Sequence, residues 1–105
     1  MANGDLTKEI EYDKIEIVQT WSIQVRKATK VMEEQADGSK KQLSRSFQRH
    51  VLHPFNSYQD LETKKWTHTE TDISGEDEDV QAIANAVWTD TVKDNYKTFK
   101  ESQSL

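Results

Sequence analysis

An alternation of apolar and polar side chains between Lys14 and Val31 most constrains what this chain can fold into. The apolar members all occupy odd positions and are Ile15, Ile17, Trp21, Ile23, Val25 and Val31, whereas Gln19, Lys27 and Thr29 interrupt the series. A two-residue period is typical of a β-strand with one buried face. The 18 residues from Lys14 to Val31 exceed the usual strand length of about 3 to 10, so we expect a bulge or break near residues 19–22.

A turn signal follows this segment at Ala36-Asp37-Gly38-Ser39, and the alternation resumes from Lys41 to His53. The pattern predicts an antiparallel β-hairpin. We expect a loop with an odd number of residues, because a two-residue loop would place the two apolar faces on opposite sides of the hairpin. Gly38 is then the left-handed residue of a three-residue loop with a bulge. A loop centred on Gly38 would pair Val25 with Val51 and Thr29 with Phe47.

The segments on either side of the hairpin are less regular. Residues 6–12 predict a short strand, with a bend at Asp13 and Lys14. Pro54 is expected to end the hairpin because proline lacks a backbone donor. The long polar connection over residues 54–72 is of a length that is usually functional or hides a short element. Within it, residues 63–69 have the threonine and aromatic content of a further strand or arm.

A helix start is predicted at Ser74, which we expect to be the N-cap with Asp77 three residues later. Thr89 offers a second N-cap, so one bent helix and two consecutive short helices are both allowed. The apolar residues that repeat at helical spacing are Val80, Ile83, Ala84, Val87, Trp88, Val92, Tyr96 and Phe99.

Together these patterns predict an α+β fold in a single domain spanning residues 1–105. An antiparallel β-hairpin or meander at about residues 6–53 would be packed by one or two helices at about residues 75–100. The remaining parts are an N-terminal tail (1–5), the connection or arm (54–72), a helical segment (73–100) and a C-terminal tail (101–105). Leu, Ile, Val and Phe account for only 21 of 105 residues, so we expect a thin core that a partner helps to stabilise.

Composition argues against several classes of function. The net charge of −5 disfavours nucleic acid as a partner, because phosphate-binding domains are normally basic. The absence of cysteine excludes a disulfide scaffold and a thiol nucleophile. The N-terminus has no signal-peptide pattern and no apolar run approaches the length of a membrane span, so we expect a soluble protein without a membrane partner.

Candidate chemical sites are weak. His50 and His53 are three apart on a predicted strand and would face opposite sides, which disfavours a shared metal ion. The acidic run at residues 76–79 could attract calcium, but acidic residues are also favoured at a helix start. The chain has no glycine-flanked nucleophile, phosphate-binding loop or zinc-protease motif. We therefore expect no enzyme activity, no metal, no cofactor and no small-molecule substrate.

A basic patch is predicted on the hairpin. Arg45, Phe47 and Arg49 share one face of the second hairpin strand, and Arg26, Lys27 and Lys30 lie across from it. Such a patch could contact an acidic protein surface or nucleic acid. It could equally be paired across strands with the carboxylates of Glu16, Glu33 or Glu34.

Several consecutive sequence segments of the chain resemble small uncharacterised proteins encoded by marine tailed phages, including cyanophages, over most of residues 9–96. The segments are Glu11-Tyr12-Asp13-Lys14-Ile15-Glu16-Ile17-Val18, Ser22-Ile23-Gln24-Val25-Arg26-Lys27-Ala28-Thr29, Leu43-Ser44-Arg45-Ser46-Phe47-Gln48-Arg49-His50-Val51, Asp72-Ile73-Ser74-Gly75-Glu76-Asp77, Val80-Gln81-Ala82-Ile83 and Val87-Trp88-Thr89. The resemblance implies a virion-associated protein that is synthesised in the host cytoplasm. It brings no catalytic residues with it.

If the resemblance holds, the chain is expected to be a structural or accessory subunit of the tail, neck or capsid. Its partners would be other phage structural proteins or copies of itself. The alternative is a non-virion binding module, such as an assembly chaperone or an inhibitor of a host protein. Aromatic and arginine side chains dominate binding energy at interfaces. The candidate interface residues are Trp21, Arg45, Phe47, Arg49, Phe55, Tyr58 and Trp66.

Overall fold

The computed structural model of the chain describes residues 4–103. The elements in this range are β1 (Leu6–Val18), β2 (Ser22–Glu34), β3 (Lys40–Leu52), β4 (Phe55–Gln59), β5 (Trp66–Glu70), α1 (Glu78–Val87) and α2 (Asp90–Glu101). The first three strands form an antiparallel sheet in the order β1-β2-β3, and β4 and β5 form a separate two-stranded sheet. The predicted α+β class is therefore confirmed.

The described residues group into two compact units according to their contacts. The sheet unit comprises residues 4–15 and 25–50, which include most of the three-stranded sheet. The helical unit comprises residues 16–24 and 51–103, which include the turn between β1 and β2, the β4–β5 hairpin and both helices. Strands β1, β2 and β3 each contribute residues to both units.

The long alternating segment is broken by a chain reversal between β1 and β2. Gln19 and Thr20 both have positive φ, at 58° and 67°. Two consecutive left-handed residues are the signature of a type I′ hairpin turn. The predicted break near residues 19–22 is confirmed, but the predicted bend at Asp13 and Lys14 is wrong because β1 runs through both residues without interruption.

The β2–β3 loop consists of three residues, 36–38. The backbone N–H of Gln35 donates to the carbonyl of Ser39 at 2.7 Å, and Gly38 has a φ of +87°. The odd loop length and the left-handed Gly38 are therefore confirmed. The predicted register is wrong, because a loop centred on Gly38 would place Gln35 opposite Lys41. Phe47, which that register paired with Thr29, lies instead against the guanidinium group of Arg26.

The connection after Pro54 contains the β4–β5 hairpin, so the expectation of a hidden short element is confirmed. β3 ends at Leu52, before Pro54, as predicted. In the hairpin, Ser57 lies opposite His68, and the predicted strand near residues 63–69 corresponds to β5. The carboxylate of Asp60 accepts from the backbone N–H groups of Glu62 and Thr63, both at 2.8 Å, which organises the loop.

The first helix begins later than predicted. Its N-cap is Asp77, whose carboxylate accepts from the backbone N–H of Asp79 at 3.0 Å. Ser74 is not the cap, because its own N–H donates to the carboxylate of Asp72 at 2.9 Å in a separate turn. Thr89 is the N-cap of α2, since its hydroxyl accepts from the N–H of Val92 at 3.2 Å. Of the two allowed alternatives, the two-helix arrangement is the one adopted.

The helical unit contains the main apolar core. The indole N–H of Trp88 donates to the backbone carbonyl of Trp21 at 2.8 Å, which ties α1 to the β1–β2 turn. The ring of Trp21 packs edge-on against Tyr96 at 5.9 Å between ring centres. The other buried residues of this unit are Ser22, Ile23, Pro54, Phe55, Val80 and Ala84. In the described part of the sheet unit only Val25 and Ala28 are buried.

The β1–β2 turn provides a test of stored backbone strain. A β-branched residue in the left-handed region is strained by about 1–3 kcal/mol, and glycine removes that strain at some cost in chain entropy. We therefore expect Thr20→Gly to raise the free energy of unfolding by about 1 kcal/mol, measured by urea titration of tryptophan fluorescence. Thr29→Gly, the same substitution within strand β2, is the matched control and should be destabilising. A loss of stability in Thr20→Gly would contradict the strained turn.

Candidate protein interface

An ion pair links the first two strands on one face of the sheet unit. Asp13 of β1 and Arg26 of β2 form a bidentate pair, with Nε to Oδ1 at 3.0 Å and Nη2 to Oδ2 at 2.8 Å. Arg45 of β3 reaches the same carboxylate at 3.3 Å. Because β2 lies between β1 and β3, Arg45 crosses the central strand to reach this carboxylate, and all three side chains must occupy one face of the sheet.

The exposed ring of Phe47 contacts both of these arginines. The Arg26 guanidinium carbon lies 4.5 Å from the ring centre and that of Arg45 lies 5.2 Å from it, which is the geometry of cation–π contacts. Phe47 is nevertheless 42% exposed. The result is an aromatic side chain that is fixed in position but still accessible to a partner.

Further ion pairs extend along the same strands. Lys30 pairs with Glu11 at 2.7 Å, and Lys40 pairs with Glu9 at 3.4 Å. Cross-strand pairing of the basic patch is therefore observed. The carboxylates in these pairs are Glu11 and Glu9 of β1, which were not among the predicted partners. Exposed pairs of this kind each contribute little to stability, so their main effect is to fix side-chain positions.

The environment of Asp13 changes its acidity. Its side chain is only 10% exposed. The hydrogen bonds from Arg26, together with the positive charges of Arg26 and Arg45, hold the pKa of Asp13 below its ordinary value of 3.8. The carboxylate therefore stays ionised and keeps both arginines oriented even in mildly acidic solution.

The sheet unit exposes large apolar side chains in addition to Phe47. Every residue of β3 except Leu52 is exposed. The predicted interface residues Arg45, Phe47 and Arg49 all lie on this strand. The exposed fractions are 62% for Leu6, 56% for Ile10 and 47% for Leu43.

The other candidate interface residues belong to the helical unit and differ in how far they are exposed. Phe55 is only 5% exposed and lies under the ammonium group of Lys97, which is 4.7 Å from the ring centre. Trp21 is half-buried against Tyr96, and Trp66 is half-buried and stacks on His68. Tyr58 is 62% exposed. Within the helical unit, Tyr58 is therefore the candidate with the most accessible ring.

A row of polar side chains in the helical unit was not anticipated from the sequence. The Ser57 hydroxyl lies 2.7 Å from Nδ1 of His68, and Nε2 of the same ring lies 3.1 Å from the carboxylate of Glu101. A serine, a histidine and a carboxylate in series resemble a hydrolytic triad. In the α/β-hydrolases the serine nucleophile lies on a sharp turn between a strand and a helix, whereas Ser57 lies within the regular strand β4. We interpret the row as a link between the hairpin and α2.

A cleft of about 250 Å³ also lies in the helical unit, beside Pro54, Ala84 and Trp88. Lys93 and Glu70 pair at 3.0 Å at its wall. Its volume is below the range of about 300–1,000 Å³ that is usual for small-molecule sites. A second, more open cleft of about 530 Å³ lies beside Phe55, His68 and Lys97 and falls within that range.

The described residues include neither a cluster of metal ligands nor a helix suited to spanning a membrane. Among residues 4–103, no three side chains of His, Asp or Glu converge as metal ligands. Neither described helix has the length and apolar character that crossing a bilayer requires. Comparison with protein-family models, with curated proteins and with solved structures finds no match to this chain.

The Asp13 pair predicts a pH dependence of stability. Because the folded state lowers the pKa of Asp13, the pair stabilises the protein above pH 3.8, and this contribution is lost as the pH falls through the lower pKa of the folded state. We expect Asp13→Asn to lower the free energy of unfolding at neutral pH, and the difference from wild type to shrink as the pH falls below 3.8. Urea titrations at a series of pH values measure this difference in the free energy of unfolding.

The matched control for this prediction is Asp94→Asn, which removes an exposed carboxylate on α2 and should change stability little at any pH. A difference between Asp13→Asn and wild type that is constant down to pH 2 would contradict the role of the ionised pair.

Proposed function

We propose that this chain is a structural or accessory subunit of a phage particle, in the tail, neck or capsid, and that it acts through protein–protein contacts rather than catalysis. One observation carries the proposal. The sheet unit holds ten residues each of β1 and β2 and eleven of β3, yet in its described part only Val25 and Ala28 are buried. A sheet with so little cover normally needs a partner for stability.

The free energy that a partner could contribute can be estimated from the exposed apolar residues of the sheet unit. Fully burying a leucine, isoleucine or phenylalanine contributes roughly 1.5–3 kcal/mol. Leu6, Ile10, Leu43 and Phe47 each retain between 42% and 62% of their surface in solvent. A partner that covered them would therefore gain roughly 1 kcal/mol from each, which is substantial against a typical domain stability of about 5–15 kcal/mol.

The contact surface is proposed to centre on Phe47 of β3. Aromatic and arginine side chains contribute most at protein interfaces, and Phe47, Arg45 and Arg49 occur together on one exposed strand. Asp13 holds the arginines in place before a partner arrives, so less side-chain entropy is lost on binding. Tyr58 on the helical unit is proposed as a second, separate anchor.

The assignment to a phage particle rests on the resemblance of residues 9–96 to small proteins of marine tailed phages. Under this proposal the chain is made in the host cytoplasm and incorporated into the virion, where its partners are other structural proteins or further copies of itself. We also propose that α1 and α2 cover the strand residues of their own unit, as the contact of Trp88 with Trp21 suggests.

The proposal predicts that the protein co-purifies with intact virions at a fixed stoichiometry. Quantitative mass spectrometry of gradient-purified particles measures it, with a phage protein known to be non-structural as the depleted control. A protein that is abundant in infected cells but absent from particles would overturn the proposal and favour the assembly chaperone or host-protein inhibitor.

Two exposed positions provide matched variants for the same experiment. Phe47→Ser should reduce incorporation into particles severalfold, because it removes the central anchor of the proposed contact surface. Leu61→Ser changes a residue that is 69% exposed in the helical unit and should incorporate normally. Circular dichroism of both purified variants separates lost contact from lost folding.

A further inference from the structure

The two outer strands of the three-stranded sheet each have an edge that pairs with no other described strand. The strand order is β1-β2-β3, and within residues 4–103 no further strand is hydrogen-bonded to β1 or to β3. Each edge strand is 13 residues long. An edge of this length presents a row of backbone groups that can pair with another strand, so it requires either a blocking feature or a partner.

The two edge strands carry opposite charge. Strand β3 contains four cationic residues and no carboxylate, whereas β1 contains four carboxylates against two lysines. The cations of β3 are Lys40, Lys41, Arg45 and Arg49, and the carboxylates of β1 are Glu9, Glu11, Asp13 and Glu16. Like charges directly opposite one another destabilise a strand pair and opposite charges stabilise it. The charges therefore block pairing of β3 with β3 but favour pairing of β3 with β1.

We propose that copies of this chain join edge to edge, with β3 of one copy hydrogen-bonded to β1 of the next. Both strands run antiparallel to β2, so they are parallel to each other, and a copy displaced sideways brings β1 beside β3 in a parallel pair. Each copy uses one edge to bind and presents the other edge to a further copy. Such a head-to-tail interface produces rings or open rows rather than closed dimers.

The ion pairs within one chain indicate how the joint is stabilised. Arg45 already reaches Asp13 across β2, a separation of two strand spacings or roughly 10 Å. In the joint, the carboxylates of the neighbouring β1 lie only one spacing away, at roughly 5 Å. The side chains of Glu9, Glu11 and Lys40 are 46%, 51% and 48% exposed, which leaves room for a second charged partner beside the present one.

This inference rests on the structural role proposed above and deepens it by naming a second copy of the chain as the partner. It also accounts for the thin cover of the sheet unit. In the joint, the open edges and part of the exposed side chains of β1 and β3 are covered by the equivalent strands of neighbouring copies.

Single cysteines test the joint, because the natural chain contains none. Thr7→Cys lies on β1 and Gln42→Cys on β3, and both positions are exposed. A disulfide between them within one chain is excluded, since β2 separates the strands by roughly 10 Å and bridged Cα atoms lie at most about 7 Å apart. Any disulfide between positions 7 and 42 therefore joins two copies.

The expected result is a disulfide-linked dimer when the two purified single variants are mixed under a mild oxidant, with at least about tenfold less dimer from either variant alone. The doubly substituted chain should give a ladder of higher species on non-reducing gels. No excess of dimer in the mixture would overturn the proposal, as would an equal yield from Gln42→Cys alone. Thr7→Cys with Ser44→Cys serves as a second pair if a variant fails to fold.

The contribution of opposite charge to the joint is tested in the same assay with a pair of matched variants. Adding Arg49→Glu to the Gln42→Cys chain should reduce the mixed dimer about fivefold, because it places a carboxylate opposite the acidic strand. Lys65→Glu makes the same charge change on an exposed loop of the helical unit and should leave the yield unchanged. Equal yields from the two variants would contradict the charge complementarity.

The outcome also separates this inference from the proposed function. If the protein is present in virions but no mixed dimer forms, the structural role stands and the edge-to-edge joint is wrong. If the mixed dimer forms and the protein is absent from virions, the joint stands and the structural role is wrong.

Discussion

The bidentate contact between Asp13 and Arg26 fixes the arrangement of the sheet unit's charged face. It joins β1 to the central strand, and the same carboxylate draws Arg45 across from β3. Both guanidinium groups also contact the ring of Phe47. The three strands are thus cross-linked by one anion and two cations at a place where few apolar side chains are available to do so. A partly exposed polar network gives defined geometry more readily than it gives stability.

Apolar burial is distributed unevenly between the two units. The helical unit has a core built on Trp88, Tyr96 and Val80, and its indole hydrogen bond satisfies the Trp21 carbonyl. The sheet unit relies on backbone ladders and surface ion pairs. Regions with few buried apolar contacts open at lower free energy than the remainder of a protein. We therefore expect the sheet unit to open at lower free energy than the helical unit.

Sequence patterns predicted strand structure across much of β1, β2, β3 and β5, and the left-handed Gly38, because a period of two and a turn glycine are local signals. They did not identify β4. They did not identify the reversal at Gln19 and Thr20, since neither residue is typical of a type I′ turn. They also placed the helix cap at Ser74 instead of Asp77, because both residue types are good caps and the choice depends on the turn that Asp72 forms. The partners of Arg26 and Arg45 depend on strand register, which the sequence predicted incorrectly. The link from Ser57 through His68 to Glu101 requires tertiary placement of α2 and has no local signal.

The number of strands in the sheet has a geometric consequence for any row of joined copies. Adjacent strands in a sheet are rotated by roughly 20–25° relative to one another, always in the same sense. Each added copy contributes three strands and so turns the next copy by roughly 60–75°. A continuous row would therefore complete one full rotation in about five or six copies, as a twisted ribbon rather than a flat wall. The size of a closed ring or the pitch of an open filament would then follow from the twist of the sheet itself.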